Sequence, residues 1–250
     1  MNNKNNTVLI TGGASGIGLA MAKALIKAGN EVLICGRRIS RLEQAREQLP
    51  GISIFQCDVT KPADREALFK WVKAKHKDMN VLINNAGIQR FIDFTKGEAA
   101  LSAGGDEIAT NLAAPIHLSA LFIPFLSKKP EAAVVNVSSG LGFVPIASMP
   151  VYCAAKAGLH SFSVSLRHQL KQTSIKVFEL VPPAVRTELG RGPDDTEEEQ
   201  YPGIEPSLVA KSVLKALKAN EYEIVVGEAA GLVKGSKTDF DEAFQRLNSW

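Results

Sequence analysis

Three cysteines are present, Cys35, Cys57 and Cys153, with no CxxC spacing and no paired histidines nearby. That excludes a disulfide framework and a thiolate metal site, and the three read as reduced, mostly buried small residues of an intracellular chain. His76, His117, His160 and His168 also lack metal-ligand spacing, so no metal is expected. No run reaches the ~18 uninterrupted apolar residues that a membrane helix needs. Met1 to Asn6 is polar and lacks a signal core. A cytoplasmic protein away from the membrane is therefore expected. No block of like charge appears, and the net charge of +3 is dispersed, which gives no reason to expect nucleic acid. No repeat or low-complexity linker divides the chain, so one domain is expected over residues 1–250.

What is present is an ordinary globular composition, 45% hydrophobic and 22% charged. Short β-branched runs alternate with helix-period segments. The strand candidates are Thr7–Thr11, Glu31–Cys35, Ser53–Gln56, Val81–Asn84, Ala133–Ser138, Ile175–Leu180 and Glu223–Val226. Most are continuously apolar, the mark of parallel strands covered on both faces. Ser40 and Glu43 have capping-box spacing ahead of a helix over Leu42–Leu49. Pro62 and Pro206 stand in the first turns of helices over Ala63–Lys75 and Ser207–Ala219. The expected fold is α/β: a doubly wound parallel sheet of about seven strands, a Rossmann fold, with helices on both faces. Its ligand crevice lies at the carboxyl ends of the strands. Thr187 to Gly203, rich in Gly, Pro and acids, breaks the rhythm. It reads both as a solvated loop and as a substrate lid at about 187–205.

The first strand runs into Thr11-Gly12-Gly13-Ala14-Ser15-Gly16-Ile17-Gly18, with a helix expected from Leu19. Gly12 permits the turn, Gly16 admits a pyrophosphate close to the backbone, and Gly18 lets helix and strand pack. The helix N-terminus offers free N–H groups and positive potential. Strand before and helix after is the context that makes a glycine-rich turn a nucleotide site. At the end of the second strand, where an NAD site places a carboxylate, stands Gly36, followed by Arg37 and Arg38. No carboxylate repels a 2′-phosphate there, and the guanidinium groups can grip one. NADP(H) is the expected cofactor, with NAD(H) the alternative.

Tyr152 and Lys156 stand at i and i+4, one above the other on a helix. The spacing alone is common. Val134 to Ser139 is an apolar strand ending in serines, so Ser139 brings a hydroxyl to the same crevice, and Val81 to Gly87 is another strand ending in small polar residues. Asn111 is a short amide inside a helical segment, a poor choice for helix stability alone. The convergence of these elements on one sheet edge carries the signal. An ammonium about 4 Å from a phenol, at an effective dielectric of ~20, favours phenolate by roughly 4 kcal/mol, which brings its titration toward neutral pH. Desolvation opposes this.

Thr-Gly-x-x-x-Gly-x-Gly, Asn-Asn-Ala-Gly and Tyr-x-x-x-Lys together resemble the short-chain dehydrogenase/reductase family, and more narrowly its DltE-type oxidoreductases, over nearly the whole chain. The resemblance implies Ser139, Tyr152 and Lys156 as catalytic residues, with Asn111 as a fourth that keeps a water in line. It implies that Thr11, Gly12, Ser15, Gly16, Ile17 and Gly18 hold the cofactor's phosphates. Asp58 and Val59 are implied at the adenine, Asn85, Ala86 and Gly87 along the cofactor, and Val185 and Thr187 at the nicotinamide. Tyr152 and Lys156 would also contact the cofactor, Lys156 at its ribose. Pro183 departs from the pattern by standing where a glycine is usual, which removes a flexible position and an N–H donor.

The expected function is NADPH-dependent, reversible hydride transfer to a small or medium hydrophobic carbonyl substrate, or from the alcohol. The alternatives are an NAD-dependent alcohol dehydrogenase and a non-catalytic NADP(H)-sensing regulator. Gln89, Phe91, Leu141 and Phe143 are expected to shape the substrate end. Ile116–Leu126 and the face of Leu159–Leu170 are apolar enough for burial on more than one side, and the resemblance implies a homodimer or homotetramer through them.

Overall fold

The computed structural model describes residues 1–2, 4–102, 106–189 and 203–249. One sheet is formed by β1 (Thr7–Thr11), β2 (Glu31–Gly36), β3 (Ser53–Gln56), β4 (Met79–Asn84), β5 (Ala132–Val137), β6 (Ile175–Val181) and β7 (Glu223–Val225). All its pairings are parallel, and its spatial order is β3-β2-β1-β4-β5-β6-β7. The expected strands are found within one or two residues of their ends.

Alternation along each strand builds two cores. Val8, Ile10, Ile34, Val81 and Ile83 point to one face, under α1 (Gly16–Lys27) and α7 (Pro206–Ala219). Leu9, Leu33, Leu82 and Val134 point to the other, under α3 (Pro62–Lys75) and α5 (Ala114–Leu126). Burying each such side chain contributes ~1.5–3 kcal/mol, so neither face could be left bare. The stretch Ala109–Leu126 has the length and hydropathy of a membrane span. Its Leu118, Phe122 and Leu126 are nonetheless buried against the sheet, as a covering helix requires. The strand order reverses between β1 and β4, and a crevice opens there beyond Thr11 and Asn84.

The remaining helices are α2 (Ile39–Gln48), α4 (Ala99–Ser102), α6 (Pro150–Gln169), α8 (Ala229–Thr238) and α9 (Phe240–Leu247). Pro62 and Pro206 do open their helices. The Ser40–Glu43 capping box is not made. The chain leaves β2 directly into α2, whose N-cap is Arg38 with no side-chain cap, so Ser40 already lies inside the helix. Similarly, α1 begins at Gly16 rather than Leu19, the Leu19 N–H closing the first turn on the Ser15 carbonyl at 3.1 Å. Of the expected lid at about 187–205, residues 190–202 lie outside the described residues.

Candidate active site

After β1 the chain turns through Gly12 to Ser15 and enters α1. Gly16 holds φ at +51°, a left-handed value that strains any side chain. A Cβ at Gly18 would stand 2.4 Å from the Gly12 carbonyl oxygen and 2.6 Å from Asn85 Nδ2, so only hydrogen fits. Ser15 is the N-cap, and its side chain makes no bond to the helix. The first-turn N–H groups thus stay free for an anion. Thr11, expected among the cofactor contacts, is instead a brace behind the turn. It is 2% exposed, and its Oγ1 accepts from the N–H groups of Asn85 and Ala86, each at 3.0 Å. Asn85 Nδ2 returns bonds to the carbonyls of Thr11 (2.9 Å) and Gly12 (3.2 Å).

Gly12, Ser15, Gly16 and Ile17 line a cavity of about 900 Å³. Asn85, Ala86 and Gly87 continue its wall, and Ser139, Tyr152, Lys156, Val185 and Thr187 line it as well. Thr187 lies over the glycine turn: a Cβ at Gly16 would stand 3.0 Å from its Cγ2. Arg37, Arg38, Asp58 and Val59 also line the cavity. Asp58 is partly buried, which disfavours its charge. Two hydrogen bonds from Thr60 and the nearby Arg37 and Lys61 outweigh this and hold its carboxyl below the ordinary range. Arg38 and Arg41 reach across the opening to Glu188, at 3.3 and 2.8 Å.

The catalytic candidates meet where β5 ends and α6 begins. Ser139 Oγ accepts from the Leu141 N–H at 3.1 Å, which leaves its own proton free to donate. The Ser139 side chain lies close enough to the Tyr152 phenol to lower its pKa. Lys156 Nζ donates to the Val137 carbonyl at 2.8 Å and stands 5.6 Å from the Tyr152 ring centre. A Cβ on Gly87 would lie 3.2 Å from Asn111 Oδ1 and 3.7 Å from Lys156 Nζ, so amide and ammonium share one neighbourhood. The Asn111 side chain clasps Ile88: its Oδ1 accepts from the Ile88 N–H at 2.9 Å and its Nδ2 donates to the Ile88 carbonyl at 2.8 Å, which leaves one lone pair and one N–H of the amide for a further partner. It sits in a π-helical turn, Ala109–Ala113, and fixes the strand end that carries Gly87.

Burial dominates the titration of this cluster, contrary to the expectation that the lysine's field would win. Desolvation pushes the Tyr152 phenol up to about 12, against the nearby Ser139 side chain, and the charge of Glu107 adds to the rise. Desolvation pulls Lys156 down to about 8. The chain's own groups therefore keep the phenol protonated and the ammonium charged at neutral pH. Glu107 is 1% exposed, and sequence reasoning missed it. Burial raises its own pKa against the Arg90 contacts, among them a 3.0 Å bond from the Arg90 N–H.

The other end of the cavity is mostly apolar, lined by Leu141, Ile146, Met149, Pro183, Leu232 and Leu247. Gln89 and Phe91 line it as expected, with Gln89 Nε2 2.8 Å from Met149 Sδ. Phe143 turns away, against the His160 ring at 4.4 Å between centres. Pro183 keeps its place in the wall because its loop is pinned elsewhere: the Gly140 N–H donates to the Pro182 carbonyl at 3.2 Å, and Val185 bridges Ile204. Leu232 and Leu247 come from α8 and α9, which sequence reasoning did not foresee. The signal was there, since Asp239 caps α9 by accepting from the Glu242 N–H at 2.9 Å. Asn248 then clasps the loop below, accepting from the Ala147 N–H and donating to the Pro145 carbonyl at 2.7 and 3.2 Å. No cluster of metal-ligating side chains exists among the described residues.

Residues 6–198 match the family described as short chain dehydrogenase. An uncharacterized oxidoreductase, DltE, of Bacillus subtilis is 51% identical over 98% of this chain and 97% of its own length. The NADP-dependent 3-hydroxy acid dehydrogenase YdfG of Salmonella typhi is 30% identical, covering 70% of this chain and 71% of its own. A short chain dehydrogenase from Burkholderia cenocepacia, solved in complex with NADP, superposes with a TM-score of 0.83 at 24% identity, covering 99% of both chains.

Proposed function

The chain belongs to the short-chain dehydrogenase family and is an NAD(P)-dependent oxidoreductase, and from that premise we propose an NADPH-preferring carbonyl reductase, reversible to alcohol oxidation, for small or medium apolar substrates. The observation that carries this reading is one cavity with a glycine-lined helix N-terminus, Arg37 and the Ser139–Tyr152–Lys156 cluster along its wall. A dinucleotide fits the residues present, since Gly12, Ser15, Gly16 and Ile17 line the cavity where α1 begins and no side chain caps that helix. The turn and α1 would hold its phosphates, Arg37 a 2′-phosphate, and Asp58 and Val59 the adenine side. When bound, the reduced nicotinamide supplies the hydride.

The chain's part is the proton and the developing charge. The free proton of Ser139 Oγ points a hydrogen bond at the carbonyl oxygen as it gains charge. Tyr152 Oη gives its proton to that oxygen, and a phenol kept protonated at neutral pH favours the direction of reduction. Lys156 sets positive charge beside the phenol and stabilises the phenolate left behind. Asn111 is a positioning residue that acts through Ile88 and Gly87. The apolar wall excludes water and selects uncharged, apolar ketones or aldehydes. Cytoplasmic location and a homodimer or homotetramer through α5 and α6 belong to the same proposal. On α6, Val164 is 45% exposed, as a surface awaiting a second copy would be.

One observation favours NADH as a second reading: Glu188 already holds Arg38 and Arg41, leaving Arg37 alone for a 2′-phosphate. Fluorescence titration with each cofactor, followed by a carbonyl panel at the NADPH absorbance band, tests the proposal. Tighter NADPH binding with oxidation by apolar ketones is expected. Tighter NADH binding would hand the assignment to the second reading, and binding without oxidation of any carbonyl would leave a sensor.

A further inference from the structure

Behind the catalytic wall lies a charged cluster with no part in the chemistry above. Glu179 stands on β6 at 0% exposure. Its Oε1 accepts from Ser138 Oγ at 2.6 Å, and its Oε2 from His160 Nδ1 at 2.8 Å, with Oε1 3.1 Å from the same nitrogen. Ser138 immediately precedes Ser139, and its N–H is fixed to the Leu180 carbonyl at 2.8 Å. The other face of His160 meets Phe143, which ends the short turn Gly140–Gly142 that follows Ser139. One imidazole thus touches the carboxylate that anchors residue 138 and the ring that closes the loop carrying residue 139.

A carboxylate with no exposure needs a positive partner, and removing that partner leaves an uncompensated buried charge. His160 is that partner. We propose that protonated His160, through Glu179 and Ser138, is a positioning device that fixes the catalytic Ser139 loop, and that loss of its proton loosens it. This rests on the oxidoreductase reading for its effect on turnover, but not for the coupling itself. The imidazole is faced by Glu179 from β6, Glu223 from β7 and Lys237 from α8. The Glu179 hydrogen bond is the largest influence, and it raises the imidazole's pKa against partial desolvation and Lys237. Below the ordinary histidine range the ion pair is complete, and as pH rises through the raised value its positive charge is lost, leaving buried Glu179 with a neutral N–H donor only.

The test is an NMR titration of the wild-type chain, following the His160 ring and the amides of Ser139, Gly140 and Leu141. The ring should titrate above its ordinary range, and the three amides should move with the same midpoint. E179Q should return the ring toward that range. In steady-state reduction H160Q should lower kcat about tenfold with cofactor KM within twofold, and H160R, which keeps a cation facing Glu179, should recover most of the loss. Amides that ignore the ring's midpoint, or an H160Q kcat within twofold of wild type, would overturn the proposal. If H160Q fails to fold, S138A removes only the outer hydrogen bond and should also lower kcat. If the wild type reduces no carbonyl, the function assignment falls while the shared midpoint still decides the coupling.

Discussion

The two halves of the cavity are built from different materials. The cofactor half is mostly backbone: a turn whose glycines admit no Cβ, the free N–H groups of α1, and the Asn85–Gly87 segment braced by Thr11. The substrate half is side chains from scattered places, the β5–α6 loop, the loop after β6, and α8 and α9. Backbone geometry demands particular residues at fixed spacing, whereas an apolar wall accepts any side chain of suitable volume. Changes in the first half should therefore alter binding of the cofactor. Changes in the second should alter which substrate is turned over, with the Ser139 and Tyr152 hydroxyls at the seam altering rate above all.

The largest effect belongs to the seam. Y152F removes the proposed proton donor and should cut kcat for reduction by about 10²–10⁴, the usual worth of a positioned acid. Cofactor Kd should stay within twofold, and a parallel loss of cofactor affinity would blur the division between the halves. The pH dependence comes next. Lys156, brought down to about 8 by desolvation, loses its charge above that pH. With it goes the stabilisation of phenolate, so kcat for reduction should fall roughly tenfold per pH unit, about a hundredfold by two units above the midpoint. A flat profile through that range would mean that the ammonium does not govern the phenol. Third is R37A, confined to the cofactor half. An exposed charged contact to a 2′-phosphate is worth ~1.5 kcal/mol at the low end, so NADPH affinity should weaken about tenfold while NADH affinity holds. Equal losses for both cofactors in a fluorescence titration would remove Arg37 from the 2′-phosphate site.

The same contrast explains what could be read in advance. The strands were legible because burial on both faces leaves nearly unbroken apolar runs, and the phosphate turn was legible because only glycine fits at Gly18. Ser139, Tyr152 and Lys156 were legible as a motif whose members a single loop and helix bring together. Helix grammar was less dependable. Ser40 and Glu43 had capping-box spacing without the cap, because the exit from β2 already starts α2 at Ile39. Asp239 and Glu242 had a cap that went unread. Phe143 was misassigned because direction of approach, not sequence, decides whether a ring faces the cavity or His160. The Glu179–His160 pair was invisible for a related reason. Its partners sit on β6 and α6, and nothing local in either segment announces the other.

The smallest expected effect tests whether α9 truly belongs to the substrate half. Leu247 lines the cavity from the last turn of that helix, and Asn248 ties the same turn to the Pro145–Ala147 loop. L247A enlarges the wall without touching the glycine turn or the catalytic cluster. L247A removes three side-chain carbons, and a single methylene in a tight apolar pocket is already worth ~1–3 kcal/mol. Leu247 is only half-buried, so a several-fold shift in kcat/KM toward bulkier ketones is the expectation, with NADPH affinity unchanged. A ketone series of increasing bulk, run on both variants, reads it. An identical series for the two would detach α9 from selection and leave the β5–α6 loop and Pro183 to set the substrate, whereas an equal loss for every ketone would make the helix a brace rather than a wall.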